Sequence, residues 1–181
     1  GYNALLKMGA TDNNTVVGAI SGNAITTGDS NTALGGDSLG ACTTCRFNVA
    51  VGYQALVSAK SNDGNNTVIG TSAVSLSGTG GMNNNVVIGH TAGGIISSGD
   101  NNTLIGYQAG RTLTTGSYNI AIGQFVDTPS VSNSSQLNIG NILYGTNLYA
   151  GAVTSFNPVA NGNIGIGTST PWGKFTINLN T

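Results

Sequence analysis

The chain has 181 residues, of which 6% are charged and 29 are glycine, and its formal net charge is −1. Soluble domains usually carry about a quarter of charged residues, so this is not the composition of an ordinary globular domain. Phosphate binding needs a cluster of Lys and Arg, and only five such residues are spread along the chain. We therefore expect no nucleic-acid partner. No apolar run approaches the roughly 20 residues of a membrane helix, so we expect no membrane insertion either.

A five-residue unit recurs along the chain, reading NTVVG at its first occurrence and NTLIG or NIAIG further on. Its first residues are spaced 17, 17, 18, 19, 17 and 17 residues apart, and one more step of 17 reaches QLNIG. Such self-similarity at a fixed period is the signature of repeat architectures. The asparagines that begin the unit are Asn14, Asn31, Asn48, Asn66, Asn85, Asn102 and Asn119. The glycines that end it are Gly18, Gly35, Gly52, Gly70, Gly89, Gly106, Gly123 and Gly140.

The unit has the pattern of a buried strand. Its fourth residue is always aliphatic, its second is Thr or aliphatic, and its third is mostly apolar, which is typical of strands. Because side chains alternate along a strand, both faces are apolar, as in parallel strands covered on both sides. The sequence therefore predicts an all-β parallel β-solenoid or β-roll of about eight 17-residue coils. Stacking would align the asparagines in a structural ladder, with each amide donating to the next.

A second short segment follows each glycine, and its third residue stays small. These small residues are Ala4, Ser21, Ser38, Ala55, Ala73, Ala92 and Ala109. We interpret the segment as a second strand of each coil, at a place where backbones approach closely. The outer face of the first strand is then covered either by this second strand or by a partner chain. Identical repeated faces favour a symmetric homo-oligomer.

Cys42 and Cys45 form a lone C-x-x-C between the second and third asparagines. A structural zinc site would need two more ligands, and the single histidine, His90, lies more than two coils away. We therefore expect a loop disulfide, with free thiols or an interchain link as alternatives. We expect no metal and no cofactor.

The aspartates cluster in the turns. Asp12, Asp29 and Asp100 occupy the same turn position two residues before the strand, and Arg46 stands there in the coil after Asp29. Stacking predicts a surface ion pair between Asp29 and Arg46 worth about 0 to 1 kcal/mol. Some solenoids cleave polysaccharides with paired carboxylates. Substitution of Asp37 or Asp127 would test whether this chain cleaves polysaccharide.

The end of the chain departs from the 17-residue spacing. We divide the chain into solenoid repeats over residues 1–140, an irregular insertion over 141–160, and a terminal coil over 161–181. The alternating segment KFTINLN, residues 174–180, is expected to cap the solenoid or to pair with the exposed edge of another subunit.

The string NTVIG followed by x-x-Ala resembles the head repeats of trimeric autotransporter adhesins, and NTLIGYQAG resembles repeats of phage tail fibres and bacterial surface fibres. The segment NGNIGIGTSTPWGKFTI resembles the one that precedes a C-terminal intramolecular chaperone in such fibres. The resemblance implies a trimer of parallel β-rolls that binds host surfaces, although the coils here are about three residues longer than those of the adhesins.

These observations favour a structural or adhesive fibre protein without catalysis, the shaft or head of a cellular adhesin or viral tail fibre. It would lie outside the cell, on a cell or virion surface, and its candidate partners are further copies of itself and a host-surface glycan or protein. One alternative is a filament of copies joined head to tail, which a native terminus at Gly1, inside a repeat, would favour. A second alternative is a tail spike that binds or degrades polysaccharide.

Overall fold

The computed structural model describes residues 1–5, 13–60, 63–76, 80–147 and 162–177. These residues form one 11-stranded sheet whose strands lie side by side in chain order. The strands of the repeat are β1 (Thr15–Val17), β2 (Thr32–Leu34), β3 (Val49–Val51), β4 (Thr67–Ile69), β5 (Val86–Ile88), β6 (Thr103–Ile105), β7 (Ile120–Ile122) and β8 (Leu137–Ile139). Three strands follow them, β9 (Leu143–Thr146), β10 (Asn163–Ile166) and β11 (Phe175–Ile177).

Strands β1 to β8 are parallel and are paired position for position. Thr15 lies opposite Thr32 and Val16 opposite Ala33, and the same register continues as far as β8. Each strand is therefore one copy of the repeated unit, and each connection to the next strand is one turn of a coil. The predicted all-β parallel β-solenoid is confirmed.

The core runs along the inside of the coils as one continuous cluster of apolar side chains. The third residue of each unit points inward, and from β2 to β7 these residues are fully buried: Ala33, Ala50, Val68, Val87, Leu104 and Ala121. Larger side chains fill the space opposite, among them Ile25, Leu39, Leu56, Ile96 and Leu113. Burying one such side chain stabilises a fold by roughly 1.5 to 3 kcal/mol. Each coil is narrow and contributes only a few buried residues, so the core is built by stacking coils that place the same residues inside.

The prediction of a second strand after each glycine is wrong. This segment is a turn in which the second and fourth residues after the glycine have positive φ, such as Asp37 (+57°) and Leu39 (+52°) in one coil. The Asp37 N–H donates to Ala19 O of the preceding coil at 2.8 Å, and the Leu39 N–H donates to Ala55 O of the next coil at 3.0 Å. Coil-to-coil bonds thus hold a left-handed conformation that costs an ordinary side chain about 1 to 3 kcal/mol. The constant small residue of this segment is buried from Ser21 to Ala109, as its size suggests, and Ala4 is half-buried.

The parallel order changes after β8. Strand β9 is antiparallel to both β8 and β10, and β11 is again parallel to β10. The first part of residues 141–160 therefore contains a strand of the sheet, and the proposed insertion from residue 148 onward lies outside the described residues. Of the segment 174–180, Phe175–Ile177 pairs with β10, and residues 178–181 also lie outside the described part.

Candidate functional site

The asparagines form a continuous hydrogen-bonded ladder along the solenoid. The Asn85 N–H and Nδ2 both donate to Asn66 Oδ1 at 3.0 Å, and Asn85 Nδ2 also donates to Gly99 O at 2.9 Å. The same three bonds, between 2.9 and 3.2 Å, are made by Asn31, Asn48, Asn66 and Asn102. Each side chain therefore joins its own coil to both neighbouring coils.

These asparagines are buried, with at most 1% of Asn31, Asn48, Asn66, Asn85, Asn102 and Asn119 exposed. A buried amide without partners would destabilise the fold, since an unsatisfied buried polar group costs about 1 to 3 kcal/mol. In the ladder the backbone N–H and the side-chain amide N–H groups of each asparagine from Asn31 to Asn102 donate to the side-chain oxygen of the preceding asparagine. The side-chain amide also donates to a turn carbonyl, so all these buried polar groups have partners. The arrangement closes each coil and fixes the register of the next.

The glycines form a second continuous row beside the ladder. From Gly18 to Gly123 they have φ between +128° and +142°, a region that side chains rarely adopt. A Cβ on Gly35 would also meet the backbone of Gly52 in the next coil, at 2.6 Å from its carbonyl carbon. The repeat therefore requires glycine for two reasons: its φ value excludes most side chains, and the backbone of the next coil leaves no room for a Cβ.

The outer face of the sheet carries the second and fourth residues of each unit, and we call these 16 residues the outer strip. The strip consists of Thr15, Thr32, Val49, Thr67, Val86, Thr103, Ile120, Leu137, Val17, Leu34, Val51, Ile69, Ile88, Ile105, Ile122 and Ile139. None of them is charged, and each is half-buried or exposed. Val17 is 60% exposed, and Ile69 is 37% exposed. The described residues of this chain leave the strip open to solvent.

Exposed aromatic rings stack along one corner of the coils. His90 and Tyr107, in successive coils, lie with ring centroids 5.4 Å apart and an interplanar angle of 9°. Phe125 of the following coil meets Tyr107 edge to face, with centroids 5.0 Å apart. One face of the His90 ring therefore packs against one face of the Tyr107 ring, and this contact joins successive coils.

Cys42 and Cys45 form a disulfide, and both residues are buried in the core. The Cys45 carbonyl accepts the ladder bond from Asn31 Nδ2 at 2.9 Å. The disulfide therefore closes the turn that presents this carbonyl to the ladder.

Reduction of this disulfide is expected to lower the free energy of unfolding by about 2 kcal/mol, the entropy estimate for a loop of this length. Denaturant unfolding with and without reductant measures the difference. In the double variant Cys42→Ala and Cys45→Ala, reductant is expected to change nothing. Equal sensitivity of the wild-type chain and the double variant to reductant would contradict this origin.

Two aspartates join successive coils. Asp29 Oδ1 lies 2.7 Å from Arg46 Nε, which is the ion pair that stacking predicts. Asp63 is 1% exposed, and its two carboxylate oxygens accept the N–H groups of Lys60 and Met82, each at 2.7 Å. Burial raises the pKa of the Asp63 carboxyl, because the loss of hydration outweighs these two hydrogen bonds. Asp63 links the two coils in which the spacing grows to 18 and 19 residues.

Several of these contacts have no clear signal in the sequence. Asp63 and Gln136 belong to the network, but neither continues a recurring residue type at its position. Only the 17-residue spacing from Asn119 to Gln136 indicates in the sequence that Gln136 belongs to the ladder. Asp12 lies outside the described residues.

Among the described residues, no group of three or more His, Cys, Asp or Glu side chains lies close enough to hold a metal ion. The same part of the chain contains no helix long and apolar enough to cross a lipid bilayer. No protein-family model, curated protein or solved structure matches this chain.

Proposed function

We propose that this chain is a rod-forming structural segment of an extracellular fibre, without catalysis, and that copies of it associate side by side through the outer strip. The observation that carries the proposal is the outer strip itself, an uncharged and largely aliphatic surface that runs along all eight repeat strands. A fibre on a cell or virion surface is the setting that we infer.

The dimensions of the outer strip support an interface. Strands about 4.8 Å apart and residues about 3.3 Å apart give a surface of roughly 40 by 10 Å, or about 400 Å². Continuous apolar patches of this size on a single chain often mark interaction surfaces. Further copies present the same strip with the same spacing between coils, so strips that face a common axis repeat in step along the rod. Threefold symmetry is what the resemblance to adhesin heads and tail-fibre repeats implies, and we propose a homotrimer.

The contacts of the carboxylates support a structural rather than a catalytic role. Asp63 and the Asp29–Arg46 pair bind neighbouring coils, as described above. Asp100 Oδ1 accepts the Asn83 N–H at 2.7 Å, and Asp127 Oδ1 accepts the Thr112 N–H at 3.0 Å. Asp37 Oδ2 accepts Gln54 Nε2 at 3.3 Å. All five described aspartates thus have partners that hold turns or coils together.

The finer identity that we propose is a shaft or head of an adhesin or tail fibre, which holds a binding tip away from its base. Its external partner would be a host-surface glycan or protein. The repeat motif and the terminal NGNIGIG segment support this identity by resemblance.

Sedimentation equilibrium of the wild-type chain and of an outer-strip variant tests the association. The wild-type chain is expected to sediment as a discrete oligomer with the mass of three chains. Ile69→Lys places a charge in the interface and is expected to shift the equilibrium to monomers, because burying an unpaired charge is costly.

Ile95→Lys is the matched control. Ile95 is 40% exposed, close to the 37% of Ile69, but it lies in the turn between β5 and β6 and not in the outer strip. The control variant is expected to keep the wild-type mass. A monomeric wild-type chain, or equal dissociation of both variants, would overturn the proposed interface.

A further inference from the structure

The eighth coil differs from the others in three rows at once. Gln136 stands in the row of ladder asparagines, and Asn138 stands in the row of inward residues that are apolar in the other coils. Gly140 ends the glycine row with φ of +61°, in place of the values between +128° and +142° in the preceding coils. Three rows with separate roles in the coil therefore change together at β8, the last strand of the repeat.

Gln136 bonds to the preceding coil as a ladder asparagine does, but within the described residues it forms no ladder bond to a following coil. Its N–H and Nε2 donate to Asn119 Oδ1 at 2.9 and 3.2 Å, as a ladder asparagine would. Its carbonyl oxygen Oε1, however, accepts the Ser130 N–H at 2.7 Å, within its own coil. In every internal asparagine of the ladder this oxygen accepts from the following coil. The extra methylene of glutamine gives the side chain the reach to turn back.

Asn138 closes the core in a similar way. It is 2% exposed, and its Nδ2 donates to Asp127 O at 2.6 Å and to Asn141 Oδ1 at 2.9 Å. Its Oδ1 accepts the Asn141 N–H at 3.0 Å. Buried amide groups need such partners, and here they are Asp127 in the turn between β7 and β8 and Asn141 just after β8. The apolar inner row thus ends in a satisfied polar group, where a further coil would place another apolar side chain.

The edge of β8 is also occupied. Strand β9 pairs with it in the antiparallel direction, with Leu143 opposite Ile139. A parallel strand of another coil cannot form the same hydrogen bonds to β8 while β9 holds them.

We propose that Gln136 and Asn138 form a built-in stop for the solenoid, so that this end cannot accept another 17-residue coil from a second copy. The asparagine ladder then does not continue from the β8 end into a second copy. A filament in which the ladder continues from the β8 end into the next subunit therefore does not form. This inference rests on the contacts of the eighth coil and is independent of the trimer proposed above.

Hydrogen exchange in the full chain tests the bond between Gln136 and Ser130 on which the stop depends. In Gln136→Asn the side chain keeps its bonds to Asn119 but is too short to reach Ser130. We expect the Ser130 amide to exchange at least about tenfold faster, the factor that corresponds to losing one hydrogen bond of ordinary strength. Gln124→Asn, the same substitution at an exposed position, is expected to leave the Ser130 amide unchanged.

Unchanged exchange at Ser130 in Gln136→Asn would overturn the role of Gln136. Electron microscopy of the wild-type chain provides a second measurement that needs no variant. We expect no filament whose subunits are joined at the β8 end, at any concentration. Filaments whose length grows in steps of one rod, with subunits joined at the β8 end, would overturn the stop.

Discussion

Replacing Asn85 by aspartate is expected to lower the free energy of unfolding by about 3 kcal/mol or more at neutral pH, although the two side chains have the same shape. The Nδ2 of Asn85 donates to Asn66 Oδ1 and to Gly99 O. In the variant a carboxylate oxygen faces these two acceptors inside the protein, so two attractive contacts become repulsive. Asn85 is 1% exposed, and water cannot relieve the repulsion.

Denaturant unfolding of Asn85→Asp beside Asn84→Asp measures this effect. Asn84 is the preceding residue and is exposed, with φ of +59°, a conformation that aspartate tolerates. The control is expected to change the stability by less than about 0.5 kcal/mol. Protonation gives the buried carboxyl a donor again, so the deficit of Asn85→Asp is expected to shrink as the pH falls. A similar loss in both variants would show that the ladder does not carry the stability of the coils.

The adjacent glycines Gly35 and Gly36 provide the second large prediction. Gly35→Ala is expected to cost about 4 kcal/mol, because the new Cβ meets the backbone of Gly52 and the residue is held at φ of +141°. Backbone atoms of a stacked coil cannot move aside without breaking the sheet register.

Gly36→Ala is the matched control for this substitution. The equivalent position carries Ala19 in the preceding coil and Tyr53 in the next. The nearest atom to a Cβ at Gly36 is a ring carbon of Tyr53 at 3.3 Å, and that ring is 57% exposed and can shift. Thermal and denaturant unfolding are expected to place Gly36→Ala within about 1 kcal/mol of wild type. Equal losses at the two positions would contradict the close approach of the glycine row.

Both predictions concern features that the repeat itself reveals. Residues that return every 17 positions must stack, because a parallel coil brings each position above its copy in the preceding turn. The strand positions, the asparagine ladder and the proximity of Asp29 to Arg46 follow from that spacing. Local periodicity is enough here, since each coil contacts only its neighbours.

The segment after each glycine shows where this reasoning stops. Its constant small residue indicates a close approach of backbones, which favours a strand, but the segment is a turn. Residues such as Leu56 and Val74 have no preference for positive φ, yet they adopt +53° and +48°. The N–H of Leu56 donates to Ala73 O of the next coil at 3.0 Å, and the N–H of Val74 donates to Ala92 O at 3.0 Å. The neighbouring coils impose this conformation, and intrinsic preference does not predict it.

The sequence by itself determined the repeat, the direction and register of β1 to β8 and the rows of asparagine and glycine, because stacking converts spacing into contact. Only the tertiary structure decided the shape of the turns, the burial of Asp63 and the outward face that a single chain leaves open. It also decided that Gln136 ends the ladder, since the difference between glutamine and asparagine is one methylene. Whether that methylene turns the carbonyl toward Ser130 or toward another coil depends on the position of the Ser130 N–H, which the fold sets.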